Sequence, residues 1–190
     1  METAPTQSAR PARYVITGGP FSGKTSLVRA LAAKGFATVP EAAIEVIEDL
    51  THEFGLDGQA AWRAEHREEF QERIIQKQLV LEEREHAAGP LFLDRGRLDG
   101  VAYCHVYQSE VPTSLAFACS NLPYDKVFLL DTLTAFEGRA NSGRTSDRAR
   151  SLAIRDALRK VYTDRGLDPI DVPEMPLVER VDWVMAHLKD

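Results

Sequence analysis

Residues 14–26 read YVITGGPFSGKTS, and this stretch decides how the rest of the sequence is interpreted. Within it, GGPFSGKT at residues 18–25 fits the pattern G-x-x-x-x-G-K-[ST], after a short apolar run and before a helix-forming run. Such a loop holds a phosphate chain by turning successive backbone N–H groups inward, and its glycines let the backbone come close. A helix starting near Lys24 would add the positive end of its dipole. The stretch therefore predicts a P-loop that binds nucleotide phosphates.

The residues of this loop have separate predicted roles. Lys24 should reach the β- and γ-phosphates, and the hydroxyl of Thr25 should be a ligand to Mg²⁺, a cation that prefers oxygen. We expect nucleotide contacts from the whole loop and the first turn after it, namely Gly18, Gly19, Pro20, Phe21, Ser22, Gly23, Lys24, Thr25 and Ser26.

Length and composition favour one soluble domain. The chain has 190 residues, enough to bury a full core in a single unit, and we expect a loose tail over 1–12 followed by one domain over 13–190. The formal net charge of −6 argues against non-specific nucleic-acid binding, which depends on Lys and Arg. Cys104 and Cys119 lie in apolar stretches, and no apolar run is long enough to span a bilayer. These features predict a reduced, cytoplasmic protein.

Strand-like and helix-like segments alternate along the chain. This order predicts an α/β, three-layer P-loop fold with a mostly parallel five-stranded sheet flanked by helices, with ligands at the carboxyl ends of the strands. The predicted strands are 14–17, 36–39, 91–93, 126–131 and 169–172. The predicted helices are 26–34, 41–50, one long amphipathic helix over 59–88, 98–108, 113–120, 151–164 and 177–188.

Three carboxylates follow predicted strands. Asp94 and Asp131 each end an apolar run and could hold Mg²⁺, and we favour Asp94 because Arg95 follows it directly, whereas Asp131 leads into the next loop. Glu41 lies at a strand-to-helix junction, a rigid position for a general base. It could equally complement the dipole of the following helix, and the spacing alone leaves both roles open.

Arginines form a second group of candidates. The segment at about 136–150 has the composition of a lid, and one or two of Arg139, Arg144 and Arg148 could close over the γ-phosphate. Arg95 and Arg97 could fix an acceptor or form structural ion pairs. The five histidines are scattered without the spacing of metal ligands.

Several motifs together resemble one family. They are ITGGPFSGKTS at 16–26, VPEAA at 39–43, FQ at 70–71, LFLDRG at 91–96, LDGVAYC at 98–104 and VPEMPLVERV at 172–181. The sequence resembles the small predicted AAA-type P-loop ATPase and kinase family related to the ribosylnicotinamide kinase domain of NadR. The resemblance covers nearly the whole chain after the tail, and it implies a nucleoside- or nucleotide-kinase-like fold with a lid and with ATP and Mg²⁺ on the donor side.

The resemblance also bears on the site residues. Deoxynucleoside kinases carry a Glu after the second strand as the base and a carboxylate-Arg pair after the third, and Glu41 and Asp94-Arg95 are similar in placement. We therefore expect a kinase that moves the γ-phosphoryl group of ATP to a hydroxyl or phosphate of a nucleoside-like or other small metabolite. The alternatives are a nucleotide-hydrolysing switch and, less favoured by the net charge, a nucleic-acid end kinase. The N-K-x-D element typical of GTP recognition is absent from the sequence. The acceptor and the oligomeric state are left open.

Overall fold

The computed structural model describes residues 10–85, 88–134 and 148–188. The elements in chain order are β1 (Arg13–Gly18), α1 (Lys24–Ala33), β2 (Ala37–Val39), α2 (Ala42–Glu65), α3 (Arg67–Arg84), β3 (Leu91–Asp94), α4 (Arg97–Tyr107), α5 (Thr113–Ala118), β4 (Lys126–Leu130), α6 (Arg148–Thr163), β5 (Ile170–Val172) and α7 (Leu177–Ala186). The predicted tail over 1–12 falls mostly outside these residues, and Arg139 and Arg144 of the predicted lid fall outside them entirely. Its third arginine, Arg148, begins α6.

The five strands form one sheet in the order β2-β3-β1-β4-β5, and every pairing is parallel. The central strands are apolar on both faces, as a parallel sheet covered by helices requires. The alternation of side chains along β1 places Val15 in one core and Ile16 in the other. The first core includes residues of α4 and α6, and the second includes residues of α1 and α7. The predicted three-layer α/β fold is therefore confirmed.

One helix prediction is wrong. In place of a single helix over 59–88, α2 continues from the second strand to Glu65, and α3 begins at Arg67. His66 lies between them with φ −115° and ψ 51°, and Gly55 interrupts α2 with φ 74°. Polar residues flank both breaks, so the amphipathic pattern runs through them without a signal. This break turns α3 so that it packs beside α2 and α4.

The sheet brings the segments that follow its strands to one edge. The P-loop follows β1, Glu41 follows β2, Asp94 ends β3 and Asp131 follows β4. Cys104 and Cys119 are free and buried, as their apolar surroundings predict. Among the described residues, no helix is both long enough and apolar enough to cross a bilayer.

Candidate functional site

The P-loop has the backbone geometry that its glycines predict. Gly18 and Gly23 have φ of 151° and 80°, and Gly23 directly precedes α1 in the left-handed region. A Cβ added to Gly18 would lie 2.8 Å from the backbone oxygen of Leu130 and from the hydroxyl of Ser22. Glycine is therefore required where the loop approaches its neighbours, and the first turn of α1 opens toward the loop.

Lys24 is folded into this loop. Its Nζ donates to the backbone oxygens of Gly18 at 2.9 Å and Gly19 at 2.8 Å, and to the hydroxyl of Ser22 at 3.3 Å. Burial, followed by the charge of Arg95, lowers the pKa of Lys24 to about 7. The ammonium group therefore lies inside the cradle, close to where phosphate oxygens would be bound.

Two distant side chains support the P-loop, and the sequence gave no warning of either. Arg180, in α7, donates from a terminal nitrogen to the backbone oxygen of Ser22 at 2.9 Å. Ser151, in the first turn of α6, donates from its hydroxyl to the backbone oxygen of Pro20 at 2.6 Å. Both residues are buried, so α6 and α7 fix the loop from opposite ends of the sequence.

Asp94 lies at the end of β3 beside the loop. It is buried and accepts a hydrogen bond from the hydroxyl of Thr25, while its Oδ1 has no hydrogen-bond partner among the described residues. Burial and the nearby Glu41 raise the pKa of its carboxyl group. A hydroxyl, one carboxylate and an unsatisfied buried oxygen fit Mg²⁺, which takes few protein ligands when phosphates are bound.

The other strand-end aspartate has different surroundings. Asp131 is partly exposed and forms an ion pair with Arg155 of α6 at 2.6 Å. The geometry thus brings Asp94, and not Asp131, to the threonine of the P-loop. Among the described residues no cluster of three or more His, Cys, Asp and Glu side chains could hold a metal without phosphate oxygens.

Glu41 and Arg95 form a buried ion pair at the carboxyl ends of β2 and β3. The Arg95 Nε lies 2.9 Å from Glu41 Oε1. Glu41 is the residue before α2, yet its side chain makes no capping hydrogen bond and turns to Arg95 instead. Arg95 has φ 79°, a conformation that is costly for a side chain other than glycine and is often found at functional sites.

Asp99 holds Arg95 from its other side. Its carboxylate accepts hydrogen bonds from Arg95 at 3.3 Å, Thr17 at 2.7 Å, Tyr162 at 2.8 Å and the backbone N–H of Gly96 at 3.3 Å. These donors belong to β1, α6 and the turn after β3, so one buried carboxylate joins three parts of the fold. Sequence reasoning assigned Asp99 no role, although its spacing of four residues from Arg95 on a helix was a weak signal.

A pocket of about 210 Å³ opens beside the Glu41–Arg95 pair. Its walls are formed by Pro20 of the P-loop and by residues of α2, α3, α4 and α6, among them Arg63, Phe70, Gln71, Tyr103, Tyr107 and Arg150. Pockets for drug-sized ligands begin at roughly 300 Å³, so this one suits a smaller metabolite.

The predicted site residues are only partly brought together. Lys24, Glu41, Asp94 and Arg95 lie within electrostatic reach of one another. Arg148 is exposed at the start of α6, whereas Arg150, two residues later, lines the pocket. Arg97 contacts Glu82 at 2.8 Å, which is the structural ion pair that the sequence left open.

The loop, its lysine and the carboxylate facing its threonine define a P-loop nucleotide-binding protein. The sequence matches the AAA domain family over residues 13–180, and the chain belongs to that family. A search of curated proteins finds no sequence match. The resemblance inferred from the motifs is confirmed at the level of the family.

Solved structures share the fold at low identity. Deoxyadenosine kinase from M. mycoides, with products dCMP and a flexible dCDP bound, is 16% identical with a TM-score of 0.63, over 93% of this chain and 98% of that chain. The same enzyme with bound dATP is 14% identical with a TM-score of 0.62, over 94% and 100%. Thymidylate kinase from Candida albicans is 16% identical with a TM-score of 0.57, over 96% and 93%. The chain therefore has the fold of deoxynucleoside and nucleotide kinases.

Proposed function

We propose that this protein is an ATP- and Mg²⁺-dependent kinase that transfers the γ-phosphoryl group to a hydroxyl of a small, nucleoside-like metabolite. The observation that carries the proposal is the buried Glu41–Arg95 pair, joined over 2.9 Å, at the border between the P-loop and the 210 Å³ pocket. A nucleotide switch needs only the loop. A kinase needs a second pocket beside it, with a proton acceptor and a cation at the junction.

In the proposed reaction the acceptor oxygen attacks the γ-phosphorus and its proton passes to the Glu41 carboxylate. The new oxygen–phosphorus bond forms as the bond from the γ-phosphorus to the bridging oxygen breaks, which leaves ADP. Lys24 and Arg95 stabilise the negative charge on the transferred group. We retain the proposal that one or two of Arg139, Arg144 and Arg148 close over the γ-phosphate.

Mg²⁺ would be held by Thr25 and Asp94. When bound, it neutralises charge on the β- and γ-phosphates and orients them for in-line transfer. Asp94 must be ionised to act as a ligand, and a bound cation is expected to reverse the increase in its pKa. The likeness in fold to deoxyadenosine and thymidylate kinases supports the same class of reaction.

The test is a screen of ATP consumption over nucleosides, nucleotides, sugars and vitamins, with a control that contains no acceptor. A kinase forms ADP and a phosphorylated acceptor only when the right compound is present. Equal ADP formation with and without every acceptor would favour the nucleotide switch and contradict the proposal.

A further inference from the structure

The pocket beside Glu41 is elongated, and its two ends differ in charge. Gln78, in α3, donates to the backbone oxygen of Arg95 at 3.4 Å, so this part of α3 lies at the end where transfer would occur. Phe70 also lines the pocket and precedes Gln78 by eight residues in the same helix. At 1.5 Å per residue, it lies about 12 Å further along the pocket. We call the region around Phe70 and Tyr107 the far end.

Helix α4 runs the other way along the same pocket. Asp99, near its start, contacts Arg95, while Tyr107, its last residue, contacts Arg67 at the start of α3. The carboxylates Glu41 and Asp99 are the two acids among the described residues that line the pocket, and both bind Arg95. The end where transfer would occur thus contains a nearly balanced set of charges.

The far end gathers guanidinium groups on aromatic rings. Arg63 lies 5.5 Å from the ring centre of Phe70, and Arg67 and Arg150 lie 4.8 and 5.4 Å from that of Tyr107. Of these, Arg63 and Arg150 line the pocket. Stacking on a ring fixes the plane of a guanidinium while its N–H groups point outward, a geometry suited to a carboxylate or phosphate. Grouped positive charges raise the local concentration of anions.

We infer that the acceptor carries an anionic group, a carboxylate or a phosphate, about 12 Å from the hydroxyl that is phosphorylated. Arg63 and Arg150 bind this group at the far end of the pocket. The inference rests on the proposed function, because it takes the Glu41 end as the place of transfer. It makes Arg63 and Arg150 determinants of specificity that bind the acceptor away from the reacting atoms.

Binding of matched compounds tests the inference without any turnover. The protein is saturated with Mg²⁺ and a non-hydrolysable ATP analogue, and affinities are measured by calorimetry for uridine against orotidine and for pyridoxine against pyridoxine 5′-phosphate. The first pair differs by a carboxylate and the second by a phosphate, so the two pairs distinguish the two anion sources. We expect the anionic member of at least one pair to bind tenfold or more tightly than its neutral partner.

The same measurements on variants locate the effect. Arg63→Gln and Arg150→Gln should each remove most of the preference for the anion, whereas Arg84→Gln, an exposed arginine at the end of α3, should leave it unchanged. Equal affinities within both pairs, including no detectable binding, would overturn the inference, as would a preference that survives both variants. Failure of the proposed function would instead appear as the absence of any acceptor-dependent ADP formation.

Discussion

The hydroxyl of Ser151, in the first turn of α6, donates a 2.6 Å hydrogen bond to the backbone oxygen of Pro20 in the P-loop. Ser151 is buried and follows Arg150, which lines the acceptor pocket. The start of α6 is also where the predicted lid ends. This contact therefore joins three parts of the proposed active site: the phosphate loop, the pocket and the C-terminal end of the lid.

The close approach of α6 to the loop depends on a glycine. A Cβ on Gly19 would overlap the backbone oxygen of Ser151, which cannot rotate away as a side chain would. We expect Gly19→Ala to lower the free energy of unfolding by about 1–3 kcal/mol, measured by urea denaturation, and to weaken ATP binding. Gly89→Ala is the control, because a Cβ there meets no atom within 4 Å and its effect should be small. Unchanged stability of Gly19→Ala would show that α6 does not pack on the loop.

Proton uptake should accompany ATP binding. The pKa of Lys24 is lowered to about 7 in the ligand-free loop, and phosphate oxygens beside the amine favour its charged form. At pH 8 roughly nine tenths of the amines are neutral, so binding should take up about 0.9 proton, falling to about 0.1 at pH 6. Calorimetry in buffers of different ionisation enthalpy measures this number. The same uptake at both values would mean that Lys24 is charged before ATP arrives.

Replacing the proposed base should affect turnover more than nucleotide affinity. Glu41→Gln removes the proton acceptor while it keeps the shape of the side chain, so kcat should fall by about 10²–10⁴-fold with little change in the Kd for ATP. Glu45→Gln is the matched control, since Glu45 lies one turn further along α2 and forms a surface ion pair with Lys77. Full activity of Glu41→Gln on an identified acceptor would rule Glu41 out as the base.

Much of the donor half of the site could be predicted, because the P-loop, Asp94 and Arg95 are local patterns at the ends of apolar strands. The support around them could not. Asp99 lies 82 residues from Thr17 and 63 from Tyr162, and Arg180 lies 158 residues from Ser22. Such contacts depend on the packing of separate elements, which a local pattern does not encode. The break at His66 was missed for a different reason, since one non-helical residue leaves the amphipathic period almost intact.

Asp99 should position Arg95 for turnover. Thr17→Val and Tyr162→Phe each remove one hydrogen bond to the Asp99 carboxylate. Each should lower the free energy of unfolding by about 1.5–3 kcal/mol, as expected for bonds to a charged acceptor. Each should also lower kcat while the Kd for ATP is kept, because Arg95 loses its fixed orientation. Thr163→Val, at an exposed neighbouring position, is the control. Reduced stability with an unchanged kcat would assign the network a structural role alone.

The most direct test of the proposed function follows the labelled γ-phosphate of ATP after incubation with a pool of small metabolites. If the protein is a kinase, the label appears in a phosphorylated small molecule, Glu41→Gln abolishes this product, and Glu45→Gln does not. If all of the label is instead released as inorganic phosphate at a rate that the metabolite pool does not change, the pocket beside Glu41 is not an acceptor site and the proposed function is wrong.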